Sequence, residues 1–348
     1  MRRQSSLAQM PAAADGPSAH PPVMPTARLG ANGPVVSRIG LGLAALGRPV
    51  YITGGRAADL PDRSVAGMRA RTYMVLDAAY AAGIRYADAA RSYGRAEEFL
   101  AGWLADRGHN DVVVGSKWGY RYTGEWRLDG VQEVKEHSLA MFTSQLAETR
   151  SYLAGALALY QVHSLTEDSG VLGDDALLAA LAQLRDEGVM VGLSTSGPHQ
   201  ADTLRRALAV TVGSAPLFAA AEVTWNVLEP SVAPAAAEAA QAGWAVLIKE
   251  AVANGRLAPG GDATGPGWPL GAAAAAAGVT PDAIALSAAL AQPWATIVLS
   301  GAVSTAQLQS NVAALRVAAP PEFASELTKA TAESAPTYWS ERSARPWS

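Results

Sequence analysis

From residue 34 onward, short aliphatic or β-branched runs alternate with longer stretches of helical periodicity. That alternation restricts the chain to folds built from βα units on a parallel sheet. Eight runs read as strands: Val36–Leu41, Ile84–Ala87, Val112–Ser116, Leu157–Val162, Met190–Leu193, Phe218–Val223, Ala245–Ile248 and Thr296–Leu299. Apolar stripes at helical spacing lie between them, such as Val75, Ala78, Ala79 and Ala82 before Gly83, or Leu177, Leu178, Leu181 and Leu184 before Gly188. Thr280-Pro281 reads as an N-cap with a first-turn proline, and Ala31-Asn32-Gly33 as the turn of a hairpin that could close the bottom of a barrel. Eight such pairs point to an α/β fold of the (β/α)8 TIM-barrel type with an N-terminal β-hairpin; a doubly wound sheet is the competing arrangement. Long connections follow strand one (43–63), strand three (118–135) and strand seven (255–279), and loops of that length are commonly functional.

Composition narrows the function. Among 348 residues, 49% are hydrophobic and 17% charged, which suits a globular chain. A net charge of -4 gives no broad basic surface, so small molecules rather than nucleic acid are the expected partners. The absence of cysteine excludes thiolate chemistry and cysteine-ligated metals. Residues 1–25, rich in Ala, Pro, Ser and Gly around a lone His20, read as a disordered tail, leaving 26–348 as a single barrel domain. MRRQSS is followed by no apolar stretch and no run approaches a membrane span, so the expected location is the cytoplasm, with no membrane partner.

In a barrel, residues just past the strands converge on one mouth. Asp88 follows the second run, Lys117 the third and His163 the fourth. Lysine occurs only four times, so one placed directly behind an apolar strand needs a reason. An ion pair between Asp88 and Lys117 that ties neighbouring strands, with His163 in the core, is the plain explanation. Tyr93, five residues beyond Asp88, suggests more: a lysine ammonium stabilises a nearby phenolate, can draw the phenol pKa toward neutrality, and so can make Tyr93 a general acid or base.

The string Asp88-Ala-Ala-Arg-Ser-Tyr93-Gly94, with Glu97 behind it, resembles the Asp-x-Ala-x-x-Tyr-Gly signature of the aldo-keto reductase superfamily. Lys117 in Ser-Lys-Trp-Gly and His163 in Tyr-Gln-Val-His resemble its other two catalytic positions, and the resemblance runs from Arg28-Leu29-Gly30 through Ile39-Gly40-Leu41-Gly42 to Asn311. It implies hydride transfer between a nicotinamide dinucleotide and a carbonyl or alcohol, with Tyr93 as proton donor, Lys117 and Asp88 behind it, and His163 orienting the substrate oxygen.

The resemblance also implies cofactor contacts from Gly42, Ser194, Thr195, Glu222, Lys249, Arg256, Gly301, Ser304, Gln307 and Asn311. Glu222 and Trp225-Asn226 depart from the family's usual Gln and Tyr-Asn; a carboxylate accepts from the carboxamide NH2 but donates only when protonated. Gly301 and the helix start near Ser304 suit a phosphate, while Gln307 and Asn311 would face the adenine. NADP(H) is the family's default; the first part of this loop carries no cation before residue 316, which keeps NAD(H) as the other expectation. Trp118, Tyr120 and Trp126 are candidate substrate contacts, for a sugar face or an apolar pocket. The chain is also similar to the sugar dehydrogenase branch, so an aldose or a general aldehyde or ketone is the expected substrate of a monomer or homo-oligomer. The alternatives are a slow-turnover, dinucleotide-binding redox sensor or subunit and, from a different class, a metal-dependent hydrolase, for which the five histidines offer no paired ligand spacing.

Overall fold

The computed structural model describes residues 23–52, 59–265, 267–317 and 321–347. The sequence region expected to be a disordered tail lies, for residues 1–22, outside the described residues. Eight parallel strands close into a barrel: β1 Ile39–Gly42, β2 Tyr86–Asp88, β3 Val113–Trp118, β4 Leu157–Leu165, β5 Met190–Thr195, β6 Ala220–Thr224, β7 Ala245–Lys249 and β8 Ile297–Ser300. Each pairs with its sequence neighbours, and β8 closes on β1 through Val298 opposite Ile39. The doubly wound alternative is thereby excluded.

Helices α1 Val65–Ala81, α2 Ala96–Arg107, α3 Leu139–Leu153, α4 Asp175–Asp186, α5 Gln200–Leu208 and α6 Ala233–Gln241 follow the first six strands. α7 Pro269–Ala277 and α8 Pro281–Leu290 follow β7, and α9 Thr305–Val312, α10 Pro321–Thr331 and α11 Ala335–Ser343 follow β8. Their stripes face the barrel, as with Phe99, Leu100 and Trp103 on α2. Thr280 occupies the N-cap position of α8, but its hydroxyl bonds Ser310 at 2.6 Å instead of capping a backbone N–H. Among the described residues no single helix is long and apolar enough to cross a membrane. The bent pair α7 and α8 meets the length and composition only jointly, across a 96° turn, and α8 packs its length into the core.

The first expected strand is two. Val35–Ser37 pairs antiparallel with Thr26–Arg28 around the Ala31-Asn32-Gly33 turn, and β1 begins only at Ile39. Arg38 makes the corner: its guanidinium donates to the carbonyls of Leu290 and Ala295, and its backbone N–H to Pro25. The hairpin tip closes the barrel from below, with Leu29 packed on an interior layer of Tyr86, Leu159, Leu247, Ile297 and Leu299. Tyr86 fits because Gly40 and Gly115 have no side chain there: a Cβ on Gly115 would lie 2.1 Å from its hydroxyl.

Alternation along the strands then decides what faces the mouth. Two residues beyond Tyr86 is Asp88, two beyond Gly115 is Lys117, two beyond Leu159 is Gln161 and two beyond Ala220 is Glu222, so a polar layer lies on the apolar one. The connection after β3 carries an antiparallel ribbon, Tyr120–Tyr122 with Glu133–Lys135, and the one after β7 contains α7.

Candidate active site

Asp88, Tyr93, Lys117 and His163 meet at the carboxyl ends of β2, β3 and β4. Lys117 is fully buried and pairs with Asp88; its ammonium also lies 3.1 Å from Glu222 Oε2 and donates to the Ala89 carbonyl at 3.3 Å. Gln161 Nε2 donates to the same Glu222 oxygen at 3.0 Å. The Tyr93 hydroxyl stands 3.5 Å from His163 Nε2, and Lys117 Nζ is 5.3 Å from the centre of the Tyr93 ring. The lysine therefore acts on the phenol through space, because its three N–H groups face three other oxygens.

Local backbone features hold this arrangement. Tyr93 sits in a turn closed by its N–H to Ala90 O, and Gly94 follows with φ +61°. Gly47, on the loop after β1, abuts that turn: a Cβ there would lie 2.2 Å from the Tyr93 carbonyl, and its own carbonyl accepts from Arg95 N at 2.7 Å. Glu97, buried, takes bonds from Arg91 at 2.6 Å, Ser116 at 2.5 Å and Thr149 at 2.9 Å, tying the turn to β3 and α3. At His163 the β4–β5 register breaks; the Ser164 N–H, displaced from the ladder, donates to Ser194 Oγ at 2.8 Å.

Electrostatics set the protonation states. Burial raises the Asp88 carboxyl to about 8, helped by the Glu222 charge and opposed by Lys117. Burial disfavours the Lys117 ammonium, but Asp88 and Glu222 outweigh it and hold the group well above its usual range. Burial also carries the Tyr93 phenol well above 10, and the nearby ammonium offsets only part of this. The expected drift of that phenol toward neutrality is thus reversed: the dry site keeps it protonated, a proton donor. His163 is held neutral by burial, then by Lys117 and Arg48. Ser92 Oγ lies 3.4 Å from His163 Nδ1, which suits a ring carrying its proton on Nε2 toward Tyr93.

Other sequence candidates distribute unevenly. Tyr120 stays at the mouth, 5.0 Å from His163 ring to ring. Trp118 does not: one residue past Lys117 it points outward, fully buried against Phe142 on α3. Trp126 is likewise drawn away, its indole N–H donating to Arg63 O at 2.7 Å beside Phe99. Arg256 is held by Glu333 and Asp262 rather than turned to a phosphate. Asn311 spends its amide on Asp282 at 2.6 Å and Ser300 at 2.7 Å, and Gln307 its own on Asp59 and Val303 N, so both amides are already engaged within the protein. Thr195 bonds Gln200 at 3.2 Å, and Lys249 bonds Thr224 Oγ1 at 2.6 Å, while Glu250 takes Arg342 as its main partner. Gly42 ends β1 beside Asp88.

Sequence reasoning missed Arg48. Its guanidinium, 1% exposed, lies 5.2 Å from the Tyr93 ring, 5.0 Å from Tyr51 and 4.7 Å from Trp347, with Glu133 at 2.7 Å. Only the length of the connection after strand one hinted at it, because three of the four partners, Tyr93, Glu133 and Trp347, come from distant segments.

The β8 end is open and offers backbone N–H groups at a helix start. A Cβ on Gly301 would meet nothing within 4 Å, and Ser304 caps α9 by accepting from Gln307 N, leaving an open loop at a helix N-terminus. Among the described residues, no group of three His, Asp or Glu could hold a metal ion.

Comparison with known proteins agrees with this geometry. Residues 38–332 match the aldo/keto reductase family. A solved structure from Pseudomonas aeruginosa, described as an aldo-keto reductase, is 25% identical over 87% of this chain and 95% of its own, with a TM-score of 0.59. The holo form of the aldo-keto reductase AKR11C1 from Bacillus halodurans shares the fold at 21% identity, covering 90% of this chain and 97% of its own with a TM-score of 0.64. No curated protein matches the chain. With its eight-stranded barrel and matched residues 38–332, the chain belongs to the aldo/keto reductase family, whose members are NAD(P)-dependent oxidoreductases acting on small carbonyl compounds.

Proposed function

We propose that this protein interconverts a carbonyl and an alcohol with Tyr93 as the proton-transfer group, its substrate an aldose or a simple aldehyde or ketone. The observation that carries the reading is the pairing of a protonated Tyr93 hydroxyl with a neutral His163 Nε2 at 3.5 Å, backed by the Lys117–Asp88 pair. A bound nicotinamide would supply or accept the hydride. In reduction Tyr93 gives its hydroxyl proton to the carbonyl oxygen as negative charge develops there, and in oxidation it takes the alcohol proton back. His163 donates from Nε2 to the same oxygen, and the nearby Lys117 ammonium stabilises the phenolate left behind.

Gly42, Ser194, Thr195, Glu222, Lys249, Gly301 and Ser304 are the residues we assign to the coenzyme side of the mouth. Ser194 Oγ accepts from Ser164 but keeps its own proton to donate. NADP(H) is the preferred coenzyme on the family's habit, with NAD(H) competing because no cation follows Gly301 before Arg316. Tyr120 beside His163, and Tyr51 and Trp347 around the buried Arg48, give the site aromatic faces, which favours a hydroxylated substrate such as an aldose.

Titrating the protein with NADPH and, separately, NADH while following tryptophan fluorescence tests the reading, followed by a screen of aldehydes, ketones and aldoses. Saturable binding of one coenzyme with turnover on a carbonyl or sugar is expected. Binding of neither overturns the reading. Binding with negligible turnover moves the protein to the redox-sensor reading.

A further inference from the structure

Lys117 is surrounded by more negative charge than it can neutralise. Its three N–H groups face Asp88 Oδ1, Glu222 Oε2 at 3.1 Å and the Ala89 carbonyl at 3.3 Å. The three side chains are at most 3% exposed, so water does not share the load. Two ionised carboxylates against one ammonium would leave an unbalanced negative charge inside the barrel, where desolvation penalises it. Asp88 Oδ2 has no hydrogen-bond partner among the described residues, and the Lys117 ammonium touches Asp88 Oδ1 and Glu222 Oε2 at once, which brings the two carboxyl groups together. Oxygens of two carboxyl groups bond only when one of them carries a proton.

We propose that Asp88 and Glu222 share a single proton, and that Glu222 is a positioning residue whose neutral cluster with Asp88 and Lys117 fixes the ammonium behind Tyr93 and keeps net negative charge out of the site. The groups facing the cluster are compatible with this. Tyr86 packs below it, and Tyr93 and His163 flank it, each held in its neutral form by burial. Gln161 donates to Glu222, and Lys249 on β7 is a further cation that feels the Glu222 charge. The rise of Asp88 to about 8 puts loss of the shared proton on the alkaline side of neutrality. Above that point the phenolate that Tyr93 must form would face an uncompensated carboxylate, so proton donation and uptake both become harder. The consequence for turnover rests on the oxidoreductase reading, but the shared proton does not.

The test has two parts. Infrared difference spectra of the protein without coenzyme, taken between about pH 7 and about pH 9.5 to bracket the carboxyl titration, should show a buried protonated carboxyl disappearing in the wild type. Glu222→Gln and Asp88→Asn should each lack that band, so either variant suffices if the other fails to fold. In steady-state assays the alkaline limb of the wild-type kcat profile should move upward in Glu222→Gln, with KM for the carbonyl substrate little changed. A wild type without the band overturns the shared proton, whatever the activity. A band lost in Glu222→Gln with an unmoved alkaline limb overturns the positioning role. Failure of the oxidoreductase reading itself would show differently, as no coenzyme binding with the carboxyl band still present.

Discussion

The Tyr93 hydroxyl and His163 Nε2 stand 3.5 Å apart, a phenol that burial keeps protonated beside an imidazole that burial keeps neutral. Neither group carries charge, so both can present a proton to one oxygen placed between them. Removing the phenol proton while keeping the ring isolates that step. Tyr93→Phe should lower the rate of hydride transfer by about 10²–10⁴-fold with coenzyme affinity nearly unchanged. Single-turnover kinetics and fluorescence titration measure the two quantities; full activity in the variant would remove Tyr93 from the proton-transfer role.

Lys117→Met strips the cation from two buried carboxyl groups. An uncompensated buried charge typically costs about 3–5 kcal/mol, so the variant should unfold at clearly lower urea concentration. The phenol and the carboxyl pair both lose the ammonium that favours their deprotonation, so any residual activity should have its alkaline limb moved upward. Unchanged stability together with an unmoved limb would show that the pair contributes neither.

Gly47 and Gly94 face each other where the loop after β1 meets the Tyr93 turn. A Cβ on Gly47 would sit 2.2 Å from the Tyr93 carbonyl and 2.5 Å from the Ala96 side chain. Overpacking of this kind costs about 1–3 kcal/mol, and the displaced atoms carry Tyr93. Gly47→Ala should therefore lower both the melting temperature and kcat, whereas Gly155→Ala, whose Cβ would meet nothing within 4 Å, should leave kcat unaltered.

His137 donates from Nε2 to the His163 carbonyl at 2.8 Å while its Nδ1 is buried without a partner among the described residues. Burial, with the Lys135 charge, lowers its pKa from 6.5 to about 4. Between those values the unfolded chain binds a proton that the folded protein does not, so the stability this group provides is complete above 6.5 and is lost as pH falls toward 4. The slope is at most about 1.4 kcal/mol per pH unit. Denaturation midpoints of wild type and His137→Gln across this range should converge as pH falls; parallel curves would mean that His137 titrates normally.

Arg256 bonds Glu333 through both terminal nitrogens and reaches Asp262 at 3.3 Å. Charge-assisted bonds of this kind are worth about 1.5–3 kcal/mol. Arg256→Met should therefore reduce stability by that order and change the NADPH dissociation constant less than about threefold, since under 1 kcal/mol of binding is at stake. A loss of affinity of about tenfold or more without a change in stability would restore it to the coenzyme phosphates.

The sequence by itself determined the eight βα units and the strand-end positions of Asp88, Lys117 and His163, because both follow from local rules, while closure into a barrel was settled by β8 pairing with β1. Aliphatic runs spaced by amphipathic helices admit few closures, and a polar residue ending each run must lie at the carboxyl end of its strand. What the tertiary structure decided is which neighbours each side chain meets. Trp118 and Lys117 are adjacent in sequence, yet pleating sends one to the α3 interface and the other to the mouth. Asn311 and Arg256 suit a nucleotide by residue type, but Asp282 and Glu333 reach them first from other elements. Glu222 reads as a departure in a cofactor contact, and only closure of the barrel brings it to the ammonium that Asp88 already holds. Even the phenol pKa turned on that closure: the lysine pulls it down, but the burial that brings the two together pushes it up by more. Periodicity is encoded within a dozen residues, whereas desolvation and competition for a buried partner are properties of the closed barrel.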